Sequence, residues 1–429
     1  MDRRRFLLGL GATTGLALIG CSPAPRGSAA APEAAPASAW PATRAYVESF
    51  VASQPIPGAI VAVGRGDEPP TYLAAGRVAL DSTVLVDANS LWRVYSMTKP
   101  VTGIAAMILV GEGRLGLDQN IAELLPEWAS PRVLTDPATS LDARPAARPI
   151  TVRHLLTHTA GLGYTIITQG PLLAEYQRLG LTPAHLGPDM QPRPDGPQSL
   201  DEFSRRLATL PLIADPGARW SYSMSLDLLG RVIEVAAGMP FERFLATRMF
   251  APLGMNDTFF QVPPDKVARM TANYTIADGR ATVTDPARGS VYEAEPPYPF
   301  GGAGLVSSAH DYDRFLAMLL GEGETQGARI MSAETARLAM SNIVPDGTDM
   351  TGMFIPTGFG AGGRVSSVAM PGGEGVGTYG WSGAAGTHAW VDRANNVRAA
   401  GFVQHFPYDA TDFGQQIARA IYADLAAAA

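Results

Sequence analysis

Trp92-Arg93-Val94-Tyr95-Ser96-Met97-Thr98-Lys99-Pro100 leads into a largely apolar run from Val101 to Val110. The run predicts a helix, and on a helix residues three apart share one face. Lys99 is therefore expected one turn above Ser96, its amine near the serine hydroxyl. A serine attacks a carbonyl only when its proton has somewhere to go, and a neighbouring lysine is one such destination. Pro100 suits the first turn of a helix, where its missing N–H costs nothing. Ser-x-x-Lys also occurs in ordinary surface turns, so the pair needs partners elsewhere in the chain.

Composition narrows the classes. With 46% hydrophobic and 17% charged residues, the 429-residue chain reads as globular. A net charge of −7 argues against a general nucleic-acid binder. The single cysteine excludes an intramolecular disulfide framework.

The N-terminus reads as an address. Arg3-Arg4-Arg5-Phe6-Leu7-Leu8 and the apolar run to Gly20 have the pattern of an export signal over residues 1–21, and the paired arginines resemble a twin-arginine signal. Leu18-Ile19-Gly20-Cys21 resembles a bacterial lipobox, which implies lipidation of Cys21 and a periplasmic or cell-envelope location, the alternative being a plain secretory signal cut near Ala29. Membrane contact is then expected through that lipid alone, because the run is short for a span. Residues 22–40, rich in Ala, Pro and Ser, read as a flexible tether, and the folded domain as 41–429.

Along the domain, a helix is expected from Pro41 to Val51 and strands at 59–63 and 71–76. Gly111-Glu112-Gly113-Arg114-Leu115-Gly116 spells a dinucleotide fingerprint, but it closes a helix instead of opening one. It reads as a turn, and no cofactor is expected. Thr151 is a candidate N-cap, and Leu226, Leu229, Val232, Ile233 and Ala236 recur at helical spacing up to Gly238. From about residue 359 the texture returns to short glycine-punctuated strands, followed by a closing helix near 412–427. The expected fold is α/β (α+β): an antiparallel sheet from both chain ends, about 41–95 and 355–429, flanked by helices, with a mostly helical lobe inserted at about 96–354.

Two further stretches carry chemistry. Arg219-Trp220-Ser221-Tyr222-Ser223-Met224 offers a phenolic oxygen that can shuttle a proton. Trp381-Ser382-Gly383-Ala384 places a glycine on an expected strand edge, where a substrate can approach backbone N–H groups. In this order the three elements resemble those of the serine β-lactamase and penicillin-binding-protein superfamily, in its class C β-lactamase-related branch. Leu155-Leu156-Thr157-His158-Thr159-Ala160-Gly161-Leu162 and Gly301-Gly302-Ala303-Gly304-Leu305-Val306 extend the resemblance over residues 45–425.

The resemblance implies a β-lactamase-like fold, Ser96 as nucleophile, Lys99 and Tyr222 as its proton relay, and an oxyanion hole from the backbone N–H groups of Ser96 and Ala384. Met224 stands where β-lactamases carry Asn, and Trp381-Ser382-Gly383 where they carry Lys-Thr-Gly. Exchanging a cation for an indole and an amide for a thioether removes donors for a substrate carboxylate. The Trp-x-Gly form is similar to that of the carboxylesterases called esterase family eight. A small-molecule ester is therefore the expected substrate, with Trp381, Ser382, Gly383, Met224 and His388 lining the pocket.

The rivals are a β-lactamase or D-amino-acid peptidase or transpeptidase, and a non-catalytic binding lipoprotein on the same fold. Gly380-Trp381-Ser382-Gly383-Ala384 falls one residue short of a nucleophile elbow, and no strand-to-helix pattern follows it. His154 and His158 lie four apart without a third ligand, so structural histidines are expected and no metal. Natural substrate and oligomeric state stay open at this level.

Overall fold

A computed structural model describes residues 39–182, 195–353 and 357–428. The export signal, Cys21 and most of the tether lie outside the described residues. Of the tether, Trp40 corrects the expected boundary. It is 5% exposed and belongs to one buried cluster with Val47, Phe50 and Phe413, so the folded domain includes it.

Helix α1 (Pro41–Ser53) leads into strands β1 (Gly58–Arg65) and β2 (Thr71–Gly76). Strand β3 (Leu91–Arg93) precedes a single 3-10 turn at Tyr95–Met97, and α2 (Thr98–Gly111) follows without a break. The middle of the chain supplies α3 (Val152–Leu156), α4 (Ser225–Ala237), a hairpin of β4 (Asn273–Ala277) and β5 (Arg280–Asp285), β6 (Val306–Ser308) and α5 (Ala309–Leu320). The end supplies β7 (Thr357–Phe359), β8 (Arg364–Ser366), β9 (Tyr379–Gly383), β10 (Thr387–Asp392), β11 (Val397–Phe402) and α6 (Phe413–Ala427).

The central sheet has seven strands in the order β7-β8-β9-β10-β11-β1-β2. All pairs are antiparallel, and Ile60 opposite Phe402 sets the register where the two chain ends meet. Alternation then assigns the faces. Ile60, Ala62, Ala400 and Phe402 join the core built with α2 and α4. Ala59, Val61, Val63, Val397 and Ala399 join a second core with Val47, Phe50, Ile417 and Ile421 of α1 and α6. Because helices cover both faces, β1 is buried along nearly its whole length and lacks the polar alternation of a half-exposed strand.

The inserted region is less purely helical than expected. The β4–β5 hairpin lies within it, and β6 pairs with β3 at Trp92 and Ser307. Arg93 on β3 forms a buried ion pair with Asp285 on the hairpin and donates to the Thr271 carbonyl at 2.6 Å. These links tie the segment before Ser96 to chain almost two hundred residues away.

No helix among the described residues is long and apolar enough to cross a membrane.

Candidate active site

Ser96 lies in the 3-10 turn that feeds α2, and Tyr95 beside it adopts φ +42°, a left-handed conformation that few non-glycine residues hold. The turn is pinned from several sides. Val94 N–H donates to the Leu305 carbonyl, Tyr312 donates to the Met97 carbonyl at 2.8 Å, and Asn273 donates to the Tyr95 hydroxyl at 3.1 Å. Nothing in the local sequence signals the strained residue, because the groups that hold the turn come from β4, α5 and the residue before β6.

Lys99 stands in the first turn of α2 with no solvent exposure. Its Nζ donates to Ser96 Oγ at 3.2 Å and to the Gly302 carbonyl at 2.7 Å. It also sits 4.5 Å from the centre of the Tyr222 ring and 5.3 Å from that of Tyr164, within cation–π range. Tyr222, just before α4, brings its hydroxyl to 2.7 Å from Ser96 Oγ. Helical spacing predicted the Ser96–Lys99 contact, whereas Tyr222 arrives from 126 residues further on.

Trp381 lies on β9, and its indole N–H reaches the Tyr222 hydroxyl at 3.4 Å while the two rings pack 5.7 Å apart. Phe359 adds an edge-on contact to Trp381 at 5.2 Å. His158 packs 4.9 Å from the Tyr222 ring and bonds Ser223 through Nδ1 at 2.9 Å. Burial and the nearby Lys99 charge push its pKa well below that of free histidine, so it is neutral. Gly383 abuts the Ser96 turn: a Cβ there would strike the Val94 carbonyl, so a side chain would push β9 away from the nucleophile.

Two expected pocket residues stand elsewhere. On β9, Ser382 points opposite to Trp381 and Gly383, and its hydroxyl meets His388 Nδ1 at 2.9 Å across the register pair on β10. His388 packs on Gly414 at the start of α6 and near Tyr408. Strand alternation thus turns both away from Tyr222, a correction to the expectation that they line the same pocket. Met224 is 1% exposed and belongs to the main core, so it backs the site instead of presenting surface to a ligand.

Asp227 was not read from the sequence as a site residue, yet one of its oxygens accepts the N–H of Gly302, whose carbonyl holds Lys99, at 2.8 Å. The sequence signal was faint: an acidic residue in the first turn of a helix is usually ascribed to the helix dipole. Among the described residues, no group of three or more His, Cys, Asp or Glu side chains could hold a metal.

Comparison with known proteins agrees with this architecture. Protein Rv1367c of Mycobacterium tuberculosis is 35% identical over 350 residues, covering 79% of this chain and 83% of its own. Esterase EstB of Burkholderia gladioli is 34% identical over 273 residues, 60% of this chain and 64% of that protein. Among solved structures, EstCE1, described as a hydrolase with promiscuous acyltransferase activity, superposes with a TM-score of 0.74 at 25% identity, covering 90% of this chain and 99% of its own. The profile of the Beta-lactamase family matches residues 43–424, and with esterase and acyltransferase relatives on the same fold the chain belongs to that family.

Proposed function

We propose that the chain is a serine hydrolase that cleaves carboxylic esters of small or medium acyl groups through an acyl-Ser96 intermediate. The observation that carries this reading is the convergence of Lys99 Nζ and Tyr222 Oη on one oxygen, Ser96 Oγ. Two groups at hydrogen-bonding distance give the serine proton a path as its oxygen attacks the ester carbon.

Ser96 Oγ forms the new C–O bond while its proton passes into the Lys99–Tyr222 pair. The carbonyl oxygen gathers negative charge, for which the N–H groups of Ser96 and Ala384 are the natural donors. The C–O bond to the alcohol breaks, and the alcohol leaves with the proton. Water then attacks the acyl-serine by the same route, giving the carboxylic acid and free Ser96.

The ester preference is supported by Trp381. Its indole holds Tyr222 from the side where the superfamily's lactamases place a cation, and an indole offers no clamp for a substrate carboxylate. The similarity to EstB points the same way. Acyl transfer to an alcohol is the second reading, favoured by the likeness to EstCE1, since an alcohol can replace water in the second step.

A panel of short and medium p-nitrophenyl esters beside nitrocefin tests the proposal. Ester turnover well above nitrocefin turnover, lost in Ser96→Ala, is expected. Nitrocefin turnover approaching ester turnover would assign the site to β-lactams instead.

A further inference from the structure

We infer that Asp227 is a positioning residue for Lys99, acting through the backbone of Gly302 and through its charge. This rests on the reading of Ser96 and Lys99 as the reacting pair. Asp227 lies in the first turn of α4, five residues beyond Tyr222, and is 3% exposed. Its Oδ1 accepts the Gly302 N–H at 2.8 Å, and the Gly302 carbonyl accepts Lys99 Nζ at 2.7 Å. Thr102 of α2 donates to the adjacent Gly301 carbonyl at 2.7 Å, so α2 and α4 grip this loop from two sides. Only glycine fits at 302, because a Cβ would stand 2.5 Å from Asp227 Oδ2.

A neutral asparagine could accept the same N–H, so hydrogen bonding alone does not explain a carboxylate here. The carboxylate is costly in this place. Its Oδ2 has no hydrogen-bond partner among the described residues, and burial raises its pKa. What the charge adds is attraction to Lys99, the cation that acts on it. The other titratable groups facing the pair are the hydroxyls of Tyr164, Tyr222 and Tyr298 and the neutral ring of His158, none of them cationic. Asp227 thus holds the amine over Ser96 through the Gly302 carbonyl, and its charge adds to that hold.

The test compares Asp227→Asn and Gly302→Ala with the wild type on p-nitrophenyl acetate across pH. Asp227→Asn keeps the acceptor and loses the charge, whereas Gly302→Ala keeps the charge and crowds the link from Asp227 through Gly302 to Lys99. For both we expect kcat to fall about thirtyfold while KM changes less than about threefold, as when a charge-assisted contact to reacting groups is lost. Removing a negative charge favours the deprotonated form of the groups it faces, so in Asp227→Asn the pH–rate limb should move to lower pH. A merely structural carboxylate would leave that limb in place. Unchanged kcat with an unmoved limb in the folded variants overturns the inference; if Asp227→Asn does not fold, Gly302→Ala alone decides. A fluorophosphonate probe on the wild type separates the failures. Ser96 labelled, with unaffected variants, overturns only the role of Asp227, whereas an unlabelled Ser96 removes the reading beneath it.

Discussion

Tyr222 Oη stands 2.7 Å from Ser96 Oγ, although the two residues are 126 positions apart and are carried by segments before different helices. Lys99 reaches the same oxygen and shows its amine to the Tyr222 ring. Tyr222→Phe keeps that ring and the packing against Trp381 and removes only the hydroxyl. Steady-state kinetics should show kcat for ester cleavage lowered by roughly a hundredfold or more, with KM nearly unchanged. A fall in kcat/KM carried entirely by KM would make Tyr222 a binding residue.

Trp381→Lys returns a cation to the position where the indole reaches Tyr222. The substitution breaks the aromatic contacts to Tyr222 and Phe359 and gives the pocket a donor for an anion. Turnover of p-nitrophenyl butyrate is expected to drop by about tenfold or more, with any nitrocefin turnover rising relative to it. Ester turnover at the wild-type level would show that the indole plays no part in the preference.

Acid should weaken the fold through its buried histidines. His154 is 6% exposed and accepts the Thr151 N–H through Nδ1 at 3.1 Å, and burial lowers its pKa to about 4. His158 and His405 are pushed down in the same way. A folded-state pKa below the unfolded value means that the unfolded chain binds more protons, so this stability is present above pH ~6.5 and is lost as pH falls toward 4. For His154 the loss at pH 5 is roughly 2 kcal/mol. Asp227 and Asp313 run the opposite way, their raised pKa values favouring the fold as pH falls. Urea melts at pH 7.5 and 5 on wild type and His154→Gln check the balance, with a smaller pH dependence expected for the variant.

Asp227→Asn should melt at or above the wild-type temperature at pH 7. A carboxylate whose folded-state pKa is raised even with the Lys99 charge acting on it disfavours the fold wherever it is charged, and the amide escapes that penalty. A thermal melt checks this, and a clearly lower midpoint would show that the carboxylate stabilises the fold.

How much of this was legible in the sequence depends on the range of each contact. Ser96 and Lys99 are helical neighbours, and spacing alone places them together. The strands near both ends were readable from alternation and glycine punctuation, and the seven-stranded sheet joins them as expected. The Gly302 carbonyl, Asp227 and the left-handed Tyr95 were not readable, because each depends on backbone brought from a distant segment. Ser382 and His388 were misplaced for a simpler reason. Their nearness to Trp381 in sequence suggested one pocket, but successive strand residues face opposite ways. The β4–β5 hairpin was read as part of a helical region, although Asp285 on it completes the buried pair with Arg93.

Intact-mass and peptide-mapping spectrometry after treatment with a fluorophosphonate tests the central claim, that Ser96 is the nucleophile, most directly. One adduct per chain is expected, on the peptide containing Ser96, with its formation abolished in Ser96→Ala and slowed in Tyr222→Phe. An adduct on Ser382, or one that persists in Ser96→Ala, would contradict it.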